Sequence, residues 1–346
     1  MVFSDHVFAT KSGVELELRV FRARGLKEGE KAPWLFWSHG GAFLFCYHLG
    51  VTTWAYQNFL DRGYHIVSWA YRLAPIASVA DMVSDGQDAF DWCRANLETT
   101  LANTVDVDAY VVGGDSAGGC LATLLGGILT PPPRAVLDDQ GITDLSDPWF
   151  DTHPDPVVPY SGEFTDDEIA AAVAERDPSK AITGAACPND DSPELETEAE
   201  VRASFQSSTV RFGRAERLQL DVRRSICSKS AWVRATVHPE KYGTEDEVKA
   251  AEREWSSLYR LDRLSTYPPT FFLHGDSDEC VPVWQSRKMA AKLREMAVEV
   301  GEHYEPGVGH CFNHRFTNDK TAEGFDNCVT APLDFIDKHV KRVNRV

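Results

Sequence analysis

The stretch VVGGDSAGG, residues 111–119, decides the fold of this chain. It begins as an apolar run typical of a buried strand, and the pattern Gly114-x-Ser116-x-Gly118 follows just before a segment with helical spacing. A serine in such a turn between a strand and a helix is predicted to be a nucleophile held on a sharp bend. Side chains at Gly114 and Gly118 would strike the neighbouring strand or helix. The simpler alternative is a glycine-rich turn whose serine caps the helix.

A serine nucleophile needs a base and an acid that orients the base. In sheets with this kind of turn, the order along the chain is serine, acid, histidine. Asp276 and Asp278 follow a predicted strand at 269–275, at the carboxyl end where sites of parallel sheets collect. We predict Asp278 as the acid, because Asp276 lies where the chain bends and its carboxylate suits turn hydrogen bonds.

The histidine is expected after the last predicted strand. His310 is preferred to His314 because the flanking glycines, Gly307 and Gly309, allow its loop to approach the serine. The i,i+4 spacing of the two histidines could indicate a metal site, but no H-E-x-x-H pattern is present. We therefore predict a triad of Ser116, Asp278 and His310, with no metal and no cofactor.

The stretch HGGAFLF, residues 39–45, places two glycines directly after another strand-like run. Acyl transfer builds negative charge on a carbonyl oxygen, and backbone N–H groups must already be positioned to receive it. We predict that the amides of Gly40, Gly41 and Ala117 form this oxyanion hole. His39 is expected to brace the loop. An ordinary Gly-Gly turn is the alternative.

Strand-like and helix-like segments alternate at both ends of the chain. This alternation predicts an α/β fold, with a mostly parallel sheet covered by helices on both faces. Only about a dozen residues precede the first predicted strand. The predicted strands are 14–23, 33–39, 64–72, 108–114, 269–275 and 298–306, and the predicted helices are 80–97, 117–129, 281–296 and 331–343.

The middle of the chain differs in composition from both ends. It is acidic from 163 to 200 and rich in arginine from 211 to 234, with alanine-rich stretches that favour helix. We therefore predict a core formed by 1–150 and 262–346, with 151–261 inserted as a mainly helical cap or lid. A surface insertion of solvated helices is the alternative.

Composition excludes several classes of protein. The 346 residues carry a formal net charge of −18, which would repel nucleic acid and anionic lipid surfaces. No apolar run reaches the length of a membrane helix. The eight cysteines form no C-x-x-C pair, and no secretory signal is recognisable at the start. A cytoplasmic protein with free thiols is expected, while its oligomeric state is left open.

Three motifs in order resemble the hormone-sensitive-lipase-like, or fold-3, branch of the α/β-hydrolases. They are HGGA at 39–42, YRLAP at 71–75 and GDSAGG at 114–119. GDSDECVP and GVGHCF resemble the acid and histidine segments of that family. The likeness covers roughly 14–150 and 262–345, and it implies a serine carboxylesterase with an α/β-hydrolase fold and an inserted cap. Two departures are Ala42, in place of a third glycine, and a lid that would come from 151–261 instead of from N-terminal helices.

Several activities fit these residues. The leading hypothesis is hydrolysis of a carboxylic ester of a small or medium hydrophobic substrate, through an acyl-serine. The same triad would cleave a thioester or lactone, as in product release from a polyketide or peptide pathway of secondary metabolism. A peptidase ranks lower, and a non-catalytic ligand-binding protein is the rival from another class. Trp149 and Phe150 are candidates for lining the mouth of the pocket.

Overall fold

The computed structural model describes residues 3–49, 51–154, 162–185, 213–316 and 319–341. Within these ranges the chain forms a single eight-stranded sheet with helices on both sides. The strands are β1 (Phe3–Lys11), β2 (Val14–Phe21), β3 (Ala32–Ser38), β4 (His65–Trp69), β5 (Val105–Asp115), β6 (Ala135–Asp139), β7 (Thr270–Gly275) and β8 (Val300–Glu305).

The main helices alternate with the strands. They are α1 (Thr53–Asp61), α2 (Val79–Thr100), α3 (Ala117–Gly126), α4 (Trp149–Thr152), α5 (Asp166–Ala174), α6 (Arg214–Cys227), α7 (Glu245–Glu254), α8 (Ser257–Arg260), α9 (Trp284–Glu295) and α10 (Ala331–Val340). A π-helical turn, Asp326–Thr330, leads directly into α10.

The sheet is mostly parallel, in the order β1-β2-β4-β3-β5-β6-β7-β8. Only the β1–β2 and β2–β4 pairs are antiparallel. The predicted α/β fold with a mostly parallel sheet is therefore confirmed. Its parallel strands bring the carboxyl ends of β5, β7 and β8 to one edge, because neighbouring strands run in the same direction.

Alternation of side chains along the strands separates the core into two faces. Trp34 and Phe36 of β3 belong to the apolar cluster that α2 and α3 cover. Leu35 and Trp37 point the other way and pack in the cluster that contains residues of α1 and α10. Because both faces of the central strands are buried, their sequences are continuous apolar runs instead of alternating ones.

Two strands were not predicted. β1 precedes the first predicted strand; its residues are at most half-buried, and its pairing with β2 is interrupted between Val7 and Ala9. β6 is short and ends in Asp138 and Asp139, which are fully buried in the structure. The pattern of β6 looks polar at its end, and only its position between β5 and β7 makes it a central strand.

The predicted insertion lies between β6 and β7. Its described part contains helices α5 to α8, and the predicted boundaries at 150 and 261 fall within short helical segments. Val222, Ile226 and Trp232 join the same apolar cluster as Phe43 and Phe150 of the core. No helix among the described residues is long and apolar enough to cross a bilayer. The role of this segment as a lid stays a prediction.

Candidate active site

Ser116 lies on a strained turn at the end of β5. Its φ is +53°, a left-handed value that non-glycine residues rarely adopt. A Cβ at Gly118 would come within 2.0 Å of the Ser38 carbonyl oxygen, and one at Gly114 within 2.3 Å of the Gly118 carbonyl oxygen. Glycine is therefore required at both positions, as the sequence indicated. The turn is closed by a 2.7 Å hydrogen bond from the Ser116 N–H to the Asp139 carbonyl.

The three residues predicted as a triad meet at the carboxyl edge of the sheet. The Ser116 hydroxyl lies 3.0 Å from Nε2 of His310, and Nδ1 of His310 lies 2.6 Å from Oδ2 of Asp278. Ser116 follows β5, Asp278 follows β7 and His310 follows β8. This chain of hydrogen bonds is the arrangement that lets a histidine accept the serine proton while a carboxylate orients its ring.

Asp278 is buried and fully hydrogen-bonded. Its Oδ1 accepts from the N–H groups of Cys280 and Val281, each at 2.8 Å, and its Oδ2 also lies 3.2 Å from Nε2 of His274. Burial alone would raise the pKa of Asp278, but His310 and His274 hold it well below the usual range. The carboxylate therefore stays ionised beside the imidazole.

The loop that carries His310 packs on the turn after β7. The Gly307 N–H donates to Oδ1 of Asp276 at 2.6 Å, and the Ser277 N–H donates to the Val308 carbonyl at 3.0 Å. A Cβ at Gly275 would lie 2.5 Å from the Val308 carbonyl oxygen, so the two loops approach as closely as backbone allows. Asp276 thus makes the turn hydrogen bond that the sequence indicated.

The predicted oxyanion hole needs one correction. The Gly40 N–H is directed at Oδ1 of Asp115, 3.1 Å away, and is therefore engaged by a carboxylate. Among the described residues, no hydrogen bond uses the N–H groups of Gly41, Ala42 or Ala117. These three amides are the available donors, and Ala42 replaces Gly40 as a candidate.

The backbone of the 39–45 stretch explains why the Gly40 amide differs from those of Gly41 and Ala42. Gly41 has φ of +107°, and a Cβ there would lie 2.2 Å from the Phe45 carbonyl oxygen. Ala42 also has a positive φ, +50°. The chain therefore reverses its direction after Gly40, so that successive amides point to different sides. Sequence spacing alone treats the two glycines as equivalent, and only the turn distinguishes them.

His39 and Tyr71 hold this loop from below. The Tyr71 hydroxyl donates to the His39 carbonyl at 2.9 Å, and the two rings stack with centroids 4.2 Å apart. Burial lowers the pKa of His39 to about 4, so its ring is neutral. Next to Tyr71, Arg72 binds Asp85 of α2 with two guanidinium nitrogens. The YRLAP segment therefore anchors the loop instead of contributing to the chemistry.

A cluster of titratable side chains that the sequence did not identify, Cys311 and His314, lies beside His310. Burial alone would raise the pKa of the Cys311 thiol, but His310 and His314 lower it to about 5. Burial alone would lower the pKa of His310, whereas Cys311 and Asp278 raise it well above the ordinary value. The position of Cys311 directly after the predicted base was the signal available in the sequence.

Below the serine turn, two buried aspartates complete the surroundings. Burial raises the pKa of Asp115 to about 7 and that of Asp139 to about 6. Asp139 accepts from the Trp54 indole N–H at 3.1 Å, and its other oxygen accepts from Gln140. Together they place negative charge close to His314, whose pKa the thiol and these carboxyls raise to about 9 although burial opposes this.

Trp149 and Phe150 lie on α4, at the predicted boundary of the insertion. Phe150 is almost fully buried and packs edge-on against Trp232, with centroids 5.2 Å apart. Trp149 is partly exposed and stacks on His153. Phe150 is thus part of the packing between core and insertion, and Trp149 is the more accessible of the two.

Comparison with known protein families gives two matches in different parts of the chain. Residues 24–148 match the family described as BD-FAE, and residues 205–340 match the prolyl oligopeptidase family. The first match contains the 39–45 loop and Ser116, and the second contains Asp278 and His310. The predicted triad is thus divided between the two matched segments.

Similar curated proteins are fungal polyketide synthases. The chain is 25% identical to the non-reducing polyketide synthase ausA of Aspergillus calidoustus over 96% of this chain and 14% of that protein. It is 26% identical to the non-reducing polyketide synthase Preu6 of Preussia isomera over 86% of this chain and 13% of that protein. The chain therefore spans about one-seventh of the length of these relatives.

Solved structures that are similar to this chain include hydrolases. A thermophilic esterase from Thermogutta terrifontis aligns with a TM-score of 0.57 and 16% identity, over 97% of this chain and 92% of that one. An α/β hydrolase superfamily protein from Enterococcus faecalis aligns with a TM-score of 0.57 and 17% identity, over 98% of both chains. The chain therefore has an α/β-hydrolase fold, and its motifs and two partial family matches are similar to those of serine hydrolases in the esterase-like, fold-3 branch.

Proposed function

We propose that this protein cleaves a carboxylic ester of a small or medium hydrophobic acid through an acyl-serine intermediate. The observation that carries the proposal is the continuous hydrogen-bond chain from Ser116 through His310 to Asp278, with distances of 3.0 and 2.6 Å. A nucleophile, a base and a buried carboxylate in contact are what acyl transfer at a serine requires.

Each residue has a defined role in the proposed reaction. Ser116 Oγ attacks the ester carbonyl while His310 accepts the hydroxyl proton, and His310 then gives this proton to the leaving alkoxide. Water, deprotonated by His310, cleaves the acyl-serine in the second half of the reaction. Asp278 keeps the Nδ1–H tautomer and stabilises the transient imidazolium.

The oxyanion of both tetrahedral intermediates would be held by backbone amides. We assign this role to the N–H groups of Gly41, Ala42 and Ala117, since Gly40 donates to Asp115. The Ala117 amide also lies in the first turn of α3, where N–H groups have no partner within the helix. Loss of one oxyanion donor typically costs about 10²–10³ in kcat.

A second candidate keeps the same residues and changes the acyl donor to a thioester or a lactone. The similarity to non-reducing polyketide synthases over nearly the whole chain favours it. The match covers about one-seventh of the polyketide synthase, which is a suitable size for one domain that releases an acyl product. In either case Trp149 would lie at the pocket mouth and the insertion would cover the pocket.

Ser116→Ala tests the proposed chemistry. The variant should lose cleavage of p-nitrophenyl butyrate to the background rate, while its circular dichroism and melting temperature stay close to those of wild type. Ser277→Ala is the matched control, since Ser277 is exposed on the turn that precedes Asp278. Activity retained in Ser116→Ala would contradict the proposal.

Covalent labelling separates an enzyme from a ligand-binding protein. A fluorophosphonate should add one label to wild type and to Ser277→Ala, and none to Ser116→Ala. The esterase of Thermogutta terrifontis is recorded as phosphorylated by paraoxon, so an organophosphorus probe suits this fold. Folded wild type that takes up no label would favour the non-catalytic alternative.

The acyl donor can be identified with a matched panel. kcat/KM would be compared for one acyl chain presented as an oxygen ester, as an N-acetylcysteamine thioester and as a macrolactone, with an acyl anilide as the peptidase control. A thioester preference of about 100-fold or more beyond the ratio of the uncatalysed rates would favour product release. Equal corrected rates would favour the simple esterase.

A further inference from the structure

Three potential metal ligands that are not members of the triad converge at the edge strand of the sheet. His303 and Glu305 lie on the same side of β8, two residues apart, and Cys328 lies in the π-helical turn before α10. Their ligand atoms all lie within 4.8 Å of one another. Among the described residues this is the one group of histidine, cysteine and carboxylate side chains with that geometry.

The distances are close to those of a zinc site. Nε2 of His303 lies 2.8 Å from Oε2 of Glu305, and Sγ of Cys328 lies 3.5 Å from the same oxygen. In a tetrahedral Zn²⁺ site, with bonds of about 2.1 Å to N and O and about 2.3 Å to S, the ligand atoms are about 3.4 to 3.6 Å apart. A shift of roughly half an ångström in the His303–Glu305 pair would therefore admit the ion.

The surroundings hold these side chains in place. Cys328 is fully buried, and only 21% of the His303 and 14% of the Glu305 side chain is exposed. Arg315 binds the other carboxylate oxygen of Glu305 at 3.0 Å, which leaves Oε2 as the single oxygen that faces the histidine and the thiol. Gly324 makes room beside Glu305, because a Cβ there would lie 2.9 Å from Oε1.

We propose that His303, Glu305 and Cys328 bind a Zn²⁺ ion with water as the fourth ligand. Thiolate, imidazole and carboxylate in one site form a donor set that zinc accepts, whereas Mg²⁺ and Ca²⁺ prefer oxygen alone. On binding, the Cys328 thiol proton leaves to solvent and the sulfur forms a bond to zinc. His303 would bind the ion through Nε2 with a proton on Nδ1, and the thiol proton is released as the ion binds.

The site would act as a clip on the loop that carries the catalytic base. Glu305 ends β8, Cys328 lies in the π-helical turn before α10, and His310 lies in the chain between them. An ion that joins the two ends of this loop would limit its conformations without contacting substrate. The zinc site itself does not depend on the proposed esterase activity, since its test is metal binding.

The test uses the full chain after removal of metals with a chelator. Zn²⁺ affinity and stoichiometry would be measured by competition with a chromophoric chelator, and Co²⁺ would serve as a spectroscopic probe. We expect one ion per chain, a thiolate-to-Co²⁺ charge-transfer band, and a melting temperature that rises with Zn²⁺. Cys328→Ser and His303→Gln should each weaken Zn²⁺ binding by at least about 100-fold, beyond the usual effect of residues that only support a ligand.

His339→Gln is the matched control. His339 lies near Glu299 on the same side of the molecule, with Nε2 3.5 Å from a carboxylate oxygen, but this pair has no cysteine in a comparable cluster. Its loss should leave Zn²⁺ affinity unchanged. If Cys328→Ser does not fold, His303→Gln and the Co²⁺ spectrum of wild type decide. Wild type without a thiolate band, or Zn²⁺ affinity equal in wild type and His303→Gln, would overturn the proposal and leave a hydrogen-bonded cluster only.

Discussion

Asp276 and Asp278 lie two positions apart on one turn, yet their carboxylates have opposite surroundings. Asp276 is exposed and accepts a hydrogen bond from the Gly307 N–H, which fastens the two loops together. Asp278 is buried between His310 and His274. Only the buried carboxylate is in a position to orient the histidine, so the two residues should respond very differently to the same substitution.

Asp278→Asn is expected to lower kcat by roughly 10⁴-fold, because the amide favours the wrong histidine tautomer. Asp276→Asn should change kcat by less than about 10-fold, since the amide oxygen still accepts from Gly307. Ester hydrolysis by both variants, at equal folded protein concentration, measures the difference. A comparable loss in the two variants would remove Asp278 from the assigned role.

Cys311 is expected to shift the pH dependence of the proposed reaction. His310 must be neutral to accept the serine proton, so kcat/KM falls as pH drops through its pKa. Negative charge on Cys311 and Asp278 raises this pKa above the ordinary 6.5. The raised pKa of His310 therefore predicts that the acidic limb of the kcat/KM profile lies at higher pH than an isolated histidine would give.

Cys311→Ser should move this acidic limb to lower pH, because it removes one of the two negative charges and keeps the size of the side chain. The pH profile of kcat/KM measures the shift, and Cys280→Ser, which changes another partly buried thiol, is the control. An acidic limb that stays at the wild-type pH in Cys311→Ser would show that the thiol does not influence the base.

At the scale of elements, the end of β5 organises the loop after β3. Asp115, the last residue of β5, accepts the Gly40 N–H, and a Cβ at Gly40 would lie 2.4 Å from its carboxylate. One residue thus precedes the nucleophile and also anchors the turn that carries the candidate oxyanion donors. The geometry of both depends on the parallel register between Ser38 and Gly114.

Asp115→Asn and Asp115→Ala should separate hydrogen bonding from charge. The Asn Oδ1 still accepts from Gly40, so kcat/KM should stay within about 10-fold, whereas Ala leaves the turn without its anchor and should cost about 100-fold. Loss of the bond should also lower stability by about 1–3 kcal/mol in the Ala variant. Ester hydrolysis and thermal melts check both; equal activity of the two variants would refute the anchoring role.

A comparison of wild type with Asp115→Asn also tests the direction of the Asp115 pKa shift. Burial raises the pKa of Asp115 from 3.8 to about 7, so the folded state binds more protons than the unfolded state between these values. Wild type should therefore lose stability relative to Asp115→Asn as pH rises from about 4 to 7. Melting temperatures across this range measure it.

Much of the element structure could be predicted from the sequence. The strands around β3 and β5 and helix α2 were predicted within a few residues, because each is a long apolar or helical pattern that local physics already favours. β1 and β6 were missed. β1 is partly exposed and irregular, and the end of β6 consists of aspartates that become acceptable in the core only through hydrogen bonds such as that from the Gly141 N–H to Asp138.

At the scale of the whole molecule, the insertion and the core are held together by a buried amide. Gln219 of α6 donates to the Leu44 carbonyl at 2.8 Å and to the Ala74 carbonyl at 2.7 Å. The first carbonyl belongs to the 39–45 loop and the second to the YRLAP segment. Near it, the Arg223 guanidinium lies 3.7 Å from the centre of the Phe45 ring. The inserted helix therefore covers the loop that carries the candidate oxyanion donors.

Gln219→Leu is expected to destabilise the protein by about 1–3 kcal/mol, because two buried carbonyls lose their donor. The melting temperature should fall by a few degrees, and kcat/KM should fall as the 39–45 loop loosens. Arg224→Gln, exposed on the same helix, is the control. If the melting temperature and kcat/KM of Gln219→Leu match those of wild type, the amide does not couple insertion and core.

The charges of the insertion are partly balanced by ion pairs within it. Arg217 pairs with Glu163 at 2.9 Å and Arg234 with Glu245 at 2.6 Å, and Arg214 is paired with Glu168. Because solvent and salt screen these largely exposed charges, each pair contributes little to stability. Packing of Val222, Ile226 and Trp232 against the core is the larger contribution.

The sequence by itself determined the fold class, the nucleophile turn and the identity of the candidate triad. These depend on local requirements: glycine where a Cβ would lie within 2–3 Å of backbone atoms, apolar periodicity along strands, and a fixed order of catalytic residue types. Only the tertiary structure decided which amides have no hydrogen-bond partner among the described residues, which thiol has its pKa lowered beside His310, and which side chains meet at the sheet edge. The reason is that a hydrogen-bond partner such as Asp115 for Gly40 depends on the approach of residues 75 positions apart. The pattern within either segment does not predict that approach.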